Sequence, residues 1–274
     1  MRKLKIGIVG CGAIGSSLAE EIVSGLRDFA GLAALYDIRA EKSELLSKRL
    51  VKNTKFCVAN LDALIRKSDL VIESSCAQAA WEIARKSLSS GRRVMVMSVG
   101  GMVGHLDELY VLARKYNAQA YFPSGAISGI DALKAANIAG VQKVVLTTRK
   151  HPDAFKGVEY VERKFRNALK GLKKDKVLFS GTAAAAVKYF PQNVNVAAVL
   201  GLAGVGMYKT KVRIIASPDV RKNIHEVLIE SSAAKIFTRT ENILHPQNPK
   251  TSYLAVLSAM ATLKQILQPV KIGT

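Results

Sequence analysis

Over the first 122 residues the apolar positions gather into short runs, and between the runs they recur every three or four residues. LKIGIVG, GLAALYDI, FCVA, DLVIESS, RRVMVMSVGG and AQAYF predict strands. AIGSSLAEEIVSGL, EKSELLSKRLV, LDALIRKS, QAAWEIARKSLSSG and LDELYVLARKYN predict the helices between them. Strands alternating with helices mean parallel βαβ units, so this half predicts a doubly wound sheet.

Past PSGAISG the texture changes. KVVLTTRK predicts a strand. From Val158 into the basic stretch VERKFRNALKGLKKDK, Val158, Val161, Phe165, Leu169 and Leu172 recur at helical spacing, which makes its cations the solvated face of an amphipathic helix. The alanine-rich GTAAAAVKYFPQNVNVAAVLGLAG follows. KVRIIAS, HEVLIESS and KIFTRTENI are three β-rich runs close together, which predicts an antiparallel or mixed sheet with helices on one face. The tail, TSYLAVLSAMATLKQIL, has helical spacing, with Thr251 or Ser252 as its N-cap.

Composition narrows the class. With 274 residues, 49% hydrophobic and 23% charged, the chain can bury a core and is not disordered. Cys11, Cys57 and Cys76 are too few and scattered for a disulfide framework or a zinc site, so no metal is expected and a reducing, cytoplasmic interior is. MRKLKIGIVGCGAIG mimics a signal peptide, but glycines break its apolar stretch and a polar helix follows without a cleavage site. No apolar run approaches the ~20 residues of a membrane helix. The net charge of +20 is compatible with nucleic acid, with anionic small ligands, or with a heat-adapted lysine-rich surface. The basic residues are dispersed, so no specific nucleic-acid partner is expected.

Chemistry concentrates at a few places. Gly10-Cys11-Gly12-Ala13-Ile14-Gly15 fits G-x-G-x-x-G between a strand and a helix. The first glycine permits the turn, the second lets backbone approach a pyrophosphate, and the third lets helix and strand pack. Asp37 ends the second strand, where a carboxylate takes both ribose hydroxyls. That favours NAD over NADP, with Arg39 and Lys42 softening the preference. The bland alternative is a tight turn without a ligand. Cys11 reads as a small filler, and Cys76 as a packing residue more than a redox one. Asn193 and Asn195 can cap a helix or hold a carboxamide. His105, His151 and His245 read as surface or loop histidines. In DVRKNIHEVLIE, read as a strand, His225 shares a face with Val227 and Ile229, while Glu226 points away. Such a ring is either a satisfied core histidine or a proton carrier facing a site.

GIVGCGAIG, PSGAISGIDALKAA, FPQNVNVAA, NIHEV and NPKTSYLAVLSA, in that order, resemble the archaeal and bacterial L-aspartate dehydrogenases over nearly the whole chain. The resemblance implies oxidation of L-aspartate with NAD or NADP to iminosuccinate, then oxaloacetate and ammonia, and a link to NAD biosynthesis. It implies a Rossmann NAD(P)-binding domain over residues 1–122 and an α/β substrate, catalytic and dimerisation domain over 123–246. The C-terminal helix, 247–274, would return to the first domain, and the protein would be a homodimer. Carried over by position, His225 is the active-site residue, and Ala126 and Asn193 contact the cofactor with Gly10, Gly12, Ala13, Ile14, Gly15 and Asp37. The two substrate carboxylates need cationic partners, for which Arg149, Lys150 and Lys250 are candidates. SVGGMVGHLDEL departs from the family form in having a longer, more glycine-rich turn. The alternatives are a related two-domain reductase, of the dihydrodipicolinate reductase or homoserine dehydrogenase type, and a nucleotide-sensing, nucleic-acid-binding Rossmann protein.

Overall fold

The structure, a computed structural model, describes residues 3–53, 55–190, 195–246 and 248–273. The chain divides into two compact units, Met1–Pro123 with Val256–Ile272 and Ser124–Ala255 with Gly273–Thr274.

In the first unit β1 (Leu4–Val9), α1 (Ala13–Val23), β2 (Ala30–Tyr36), α2 (Ala40–Val51), α3 (Leu61–Lys67), β3 (Leu70–Glu73), α4 (Ala77–Ser89), β4 (Arg93–Val96), α5 (Leu106–Lys115) and β5 (Ala120–Tyr121) alternate as the apolar pattern predicts. The five strands are parallel, in the order β2-β1-β3-β4-β5. The strand order reverses beside β1, so the loops after β1 and β3 open at a switch point, where doubly wound sheets take ligands. The strands are apolar throughout because both faces are covered. Ile6, Ile8 and Ile72 pack with Leu18 and Ile22 of α1 and with the returning Ala259 and Leu263, while Val9 and Val71 pack with Ile83 and Leu88 of α4.

FCVA is a correction. It makes only a single parallel bridge, Leu35 to Cys57, on the outer edge of β2. Asn60 already caps α3 by accepting from the Ala63 N–H at 2.9 Å, so the chain turns away before a ladder can grow.

The second unit contains α6 (Ile130–Ile138), β6 (Val141–Lys150), α7 (Glu159–Phe165), β7 (Lys176–Thr182), α8 (Ala183–Tyr189), α9 (Asn195–Ala203), β8 (Lys211–Ala216), β9 (Asn223–Ser231), β10 (Lys235–Asn242), β11 (Leu244–His245) and β12 (Asn248–Ser252). Then α10 (Tyr253–Leu267) leads back to the first unit. The main sheet runs β10-β9-β6-β8-β7 and is mixed: β6 and β8 are parallel, the other pairs antiparallel. Its covered face carries Val144, Leu146, Thr148, Val212, Ile214, His225, Val227 and Ile229, all buried beneath α6 and α8, with α9 behind them. Its other face is the more open one, with Lys211 and Arg213 exposed and Phe237 63% exposed, although Ile215 and Ile224 are buried on it.

Strand β7 is absent from the apolar pattern for a physical reason. A register shift between Val177 and Phe179 leaves Val177 exposed and buries both Leu178 and Phe179, which destroys the alternation. The basic helix is shorter than its spacing predicts. α7 ends at Phe165 and tightens into a 3-10 turn over Arg166–Leu169, with Val161 its buried anchor. Ser252 immediately precedes α10, but its hydroxyl donates to the Asn242 side-chain oxygen.

Candidate active site

The loop after β1 is shaped by what its glycines exclude. Gly10 has φ +90, and a Cβ there would lie 2.5 Å from the Ser74 carbonyl oxygen. A Cβ on Gly15 would fall 2.0 Å from the Gly10 carbonyl oxygen, so this glycine lets α1 lie against the loop. A Cβ on Gly12 would meet nothing within 4 Å. That open space lies at the N-terminus of α1, which has no side-chain cap and no acid in its first turn. The N–H groups of Ala13, Ile14 and Gly15 at such an end suit a pyrophosphate. Asp37 braces the loop from β2: its carboxylate accepts from the Cys11 N–H at 2.8 Å and the Arg39 N–H at 3.0 Å. Each oxygen keeps a second lone pair for a ribose hydroxyl. The donor set therefore fits a dinucleotide. Cys11 is a filler in fact: burial, then the charge of Asp37, pushes its thiol up to about 12, so it stays protonated and unreactive.

Two polar residues that the apolar pattern hides hold this edge of the sheet together. Glu73 ends β3 fully buried. One carboxylate oxygen accepts from the Ser75 N–H and hydroxyl, each at 2.8 Å, and the other from the Ser98 N–H at 2.9 Å. Ser74 donates to the Gly10 carbonyl at 2.8 Å. The loops after β1, β3 and β4 are thus tied to one another. An acid inside the apolar run DLVIESS was the signal for Glu73. Cys76 corrects the packing expectation: it is exposed, at the N-cap of α4, because the chain leaves the core once Glu73 closes β3.

In the second unit the register between β6 and β9 assembles the other site. Thr148 lies opposite His225, and its Oγ1 is 3.0 Å from His225 Nδ1. Lys150 is two residues further along β6, on the same face and diagonal to His225. His225 is 5% exposed. Burial first, and the positive charge of Lys150 second, hold its imidazole down at about 3. Burial alone lowers the half-buried Lys150 to about 8. At neutral pH the ring is therefore neutral, and the lysine is poised to exchange a proton.

The remaining candidates divide by place. Ala126 is buried, and its carbonyl accepts from Asn242 Nδ2 at 3.0 Å. Two residues on, the Ser128 and Thr240 hydroxyls meet at 3.0 Å, and Thr240 pairs with His225. The Ala126 loop is thereby anchored on β10 beside the histidine. Arg149 is not brought there. It lies on the open face, where it pairs with Asp175 and, at 3.5 Å, with Glu226. Glu226 also pairs with Arg239 at 2.6 Å, so it points away from His225 as alternation requires. Asn193 and the side chain of Lys250 lie outside the described residues. His245 is a correction: it is buried in β11, with its ring edge-on to Tyr253. His151 is exposed, and His105 stacks on Trp81 at 4.5 Å. Thr148 and Asn242 carried no local signal, since each matters only through the strand beside it.

With this geometry in place, comparison with known proteins is informative. Residues 10–123 match the family described as homoserine dehydrogenase, NAD binding domain, and residues 131–266 match aspartate dehydrogenase, C-terminal. The L-aspartate dehydrogenase of Methanosarcina mazei is 47% identical over 273 residues, covering 99% of this chain and 100% of that protein. That of Methanococcoides burtonii is 45% identical with the same coverage. The crystal structure of aspartate dehydrogenase from Thermotoga maritima has a TM-score of 0.72 at 25% identity, covering 99% of this chain and 100% of that one. Matched in both halves and nearly half identical along its whole length to such relatives, the chain belongs to the L-aspartate dehydrogenase family.

Proposed function

We propose that this protein is an NAD(P)-dependent oxidoreductase that oxidatively deaminates L-aspartate to iminosuccinate, which water converts to oxaloacetate and ammonia. The observation that carries the reading is a buried histidine on the same covered sheet face as a lysine, in a chain that belongs to this family along its full length. Residues 1–122 form the cofactor-binding domain, to which the C-terminal helix returns, and residues 123–246 form the catalytic domain. Gly10, Gly12, Ala13, Ile14 and Gly15 hold the pyrophosphate. Asp37 takes the ribose hydroxyls and disfavours a 2′-phosphate, so NAD is the better cofactor, while Arg39 and Lys42 keep NADP acceptable. Ala126 and Asn193 complete the cofactor contacts. When bound, the nicotinamide ring accepts the hydride from the substrate's α-carbon.

His225 is the catalytic residue of this reading. With Nδ1 engaged by Thr148, its ring is fixed in orientation and Nε2 is presented to the substrate nitrogen. Lys150 shares that face and is the basic side chain we assign to the substrate; Arg149, on the open face, serves an ion-pair network instead. The protein acts in the cytoplasm as a homodimer, and its imine product feeds NAD biosynthesis. The open face of the second sheet, with Phe237 exposed, supports the dimer. Its dispersed basic charge binds nucleic acid only weakly and without sequence preference.

The deciding experiment follows absorbance of the reduced cofactor while a panel of amino acids is offered with NAD or NADP. L-Aspartate with NAD should turn over fastest. Turnover of a different amino acid in its place rejects the reading.

A further inference from the structure

We infer that Lys150, rather than His225, removes the proton from the substrate's ammonium group before hydride leaves the α-carbon, and that His225 is a neutral hydrogen-bonding partner beside it. The inference rests on the reaction proposed above and assigns the base within it. L-Aspartate arrives as an ammonium ion, whose nitrogen has no lone pair with which to form a C=N bond. One N–H bond must break first. Its proton passes to the lone pair of neutral Lys150 Nζ, forming a new N–H bond there. The Cα–H bond then breaks, its electron pair leaves as hydride to the nicotinamide dinucleotide, and the freed nitrogen lone pair becomes the C=N bond. The substrate is oxidised by two electrons, the dinucleotide is reduced by two, and the one released proton resides on Lys150.

Strand geometry brings the lysine to the histidine's face, and the different burial of the two groups favours the lysine as base. Strand pairing sets Thr148 opposite His225 and puts Lys150 next on the same covered face. The other neighbours on that face are Ile214 and Ala216 of β8 and Thr238 and Thr240 of β10. Lys176 of β7 stands across from Ala216, with its ammonium directed over the Phe165 ring at 5.5 Å. The acids of the sheet, Glu226, Glu230 and Glu241, stand on the opposite face and pair with Arg149, Arg239, Lys143 and Lys235. On the covering helices, Asp131 and Lys134 of α6 and Lys188 of α8 are exposed, and Tyr189 packs on Tyr160. Among the described residues, Lys150 and His225 are thus the two basic groups that share this part of the covered face, where burial disfavours charging both. A histidine held near 3 is too weak a base for an alkylammonium. An amine near 8 matches both the proton it must take and the working pH.

Two measurements test this. In the protein without substrate, competitive acylation read by mass spectrometry should show Lys150 gaining reactivity near pH 8, well below the ~10.4 of ordinary lysines. Titration together with the other lysines overturns the inference. In the aspartate assay, Lys150→Arg keeps the charge but has no lone pair to offer. It and Lys150→Met should lose roughly 10²–10⁴-fold in kcat and lose the limb near pH 8 that the parent's profile should show. Lys150→Arg turning over as fast as the parent, with only KM changed, makes Lys150 a carboxylate contact and overturns the proton role alone. A parent that oxidises no aspartate overturns the reaction and the proton role together. Lys150→Met should fold at least as stably as the parent, because it removes a desolvated charge.

Discussion

In the glycine loop six consecutive residues shape a site with backbone alone, whereas around His225 side chains 77 residues apart meet through strand pairing. The loop's constraints are steric. Gly10 and Gly15 exist where a Cβ would strike backbone, whereas one on Gly12 would enter open space at the N-terminus of α1. The His225 group is constrained by desolvation: the same burial that positions the ring also sets what it and Lys150 can do with a proton. The contrast recurs within β6. Arg149 and Lys150 are adjacent in sequence, yet one meets Asp175 and Glu226 on the open face and the other shares the covered face with His225. A substitution in the loop should therefore act through space and shape, and one on the covered face through protonation.

The largest expected effect is on turnover. His225→Asn should cut kcat roughly 10²–10³-fold, the usual worth of one positioned hydrogen-bonding group. NAD affinity should stay near the parent's, and so should the limb of the pH profile, because Lys150 sets it. A lost limb returns the proton to His225. Next is steric: Gly15→Ala should cost about 2–3 kcal/mol of stability, because the new methyl meets the Gly10 carbonyl. Gly12→Ala should stay within about 0.5 kcal/mol of the parent while weakening NAD binding. Denaturant unfolding and NAD titration of both variants separate fold from function.

The third effect is pH-dependent. The folded value of His225, near 3, lies below its unfolded 6.5. As pH falls through 6.5 the unfolded chain takes up a proton that the folded chain refuses, so stability is lost on acidification. At pH 5 this amounts to about 2 kcal/mol. His225→Asn should abolish that share of the loss between pH 7 and pH 5, measured as the difference in unfolding free energy from the parent. The smallest effect belongs to the open face. Arg149→Met should cost about 1 kcal/mol or less, since its pairs are partly solvated, and should leave aspartate turnover at the parent's rate. A large loss of turnover there would erase the distinction between the two faces.

How much was legible in the sequence follows from the range of each signal. Gly10 to Gly15 and Asp37 were readable because strand, turn and helix follow one another along the chain. The segregation of His225, Val227 and Ile229 from Glu226 was readable because strand periodicity is local. Strand β7 was hidden by its register shift, and FCVA misled because four apolar residues promise a ladder that only a partner strand can complete. Glu73 showed itself as an acid in an apolar run, but its purpose needed the turns at Ser75 and Ser98. His245 looked like a loop residue until Tyr253 and the β11–β12 pair buried it.

By itself, then, the sequence determined the order of the elements, the dinucleotide loop and the family resemblance, all of which are written in neighbouring residues or in the order of motifs. Only the tertiary structure decided which face of the second sheet is covered, and with it that Lys150 rather than Arg149 joins His225. Alternation states which side chains share a face. It cannot state which face loses its water, and desolvation by residues distant in sequence is what moves Lys150 to about 8 and His225 to about 3.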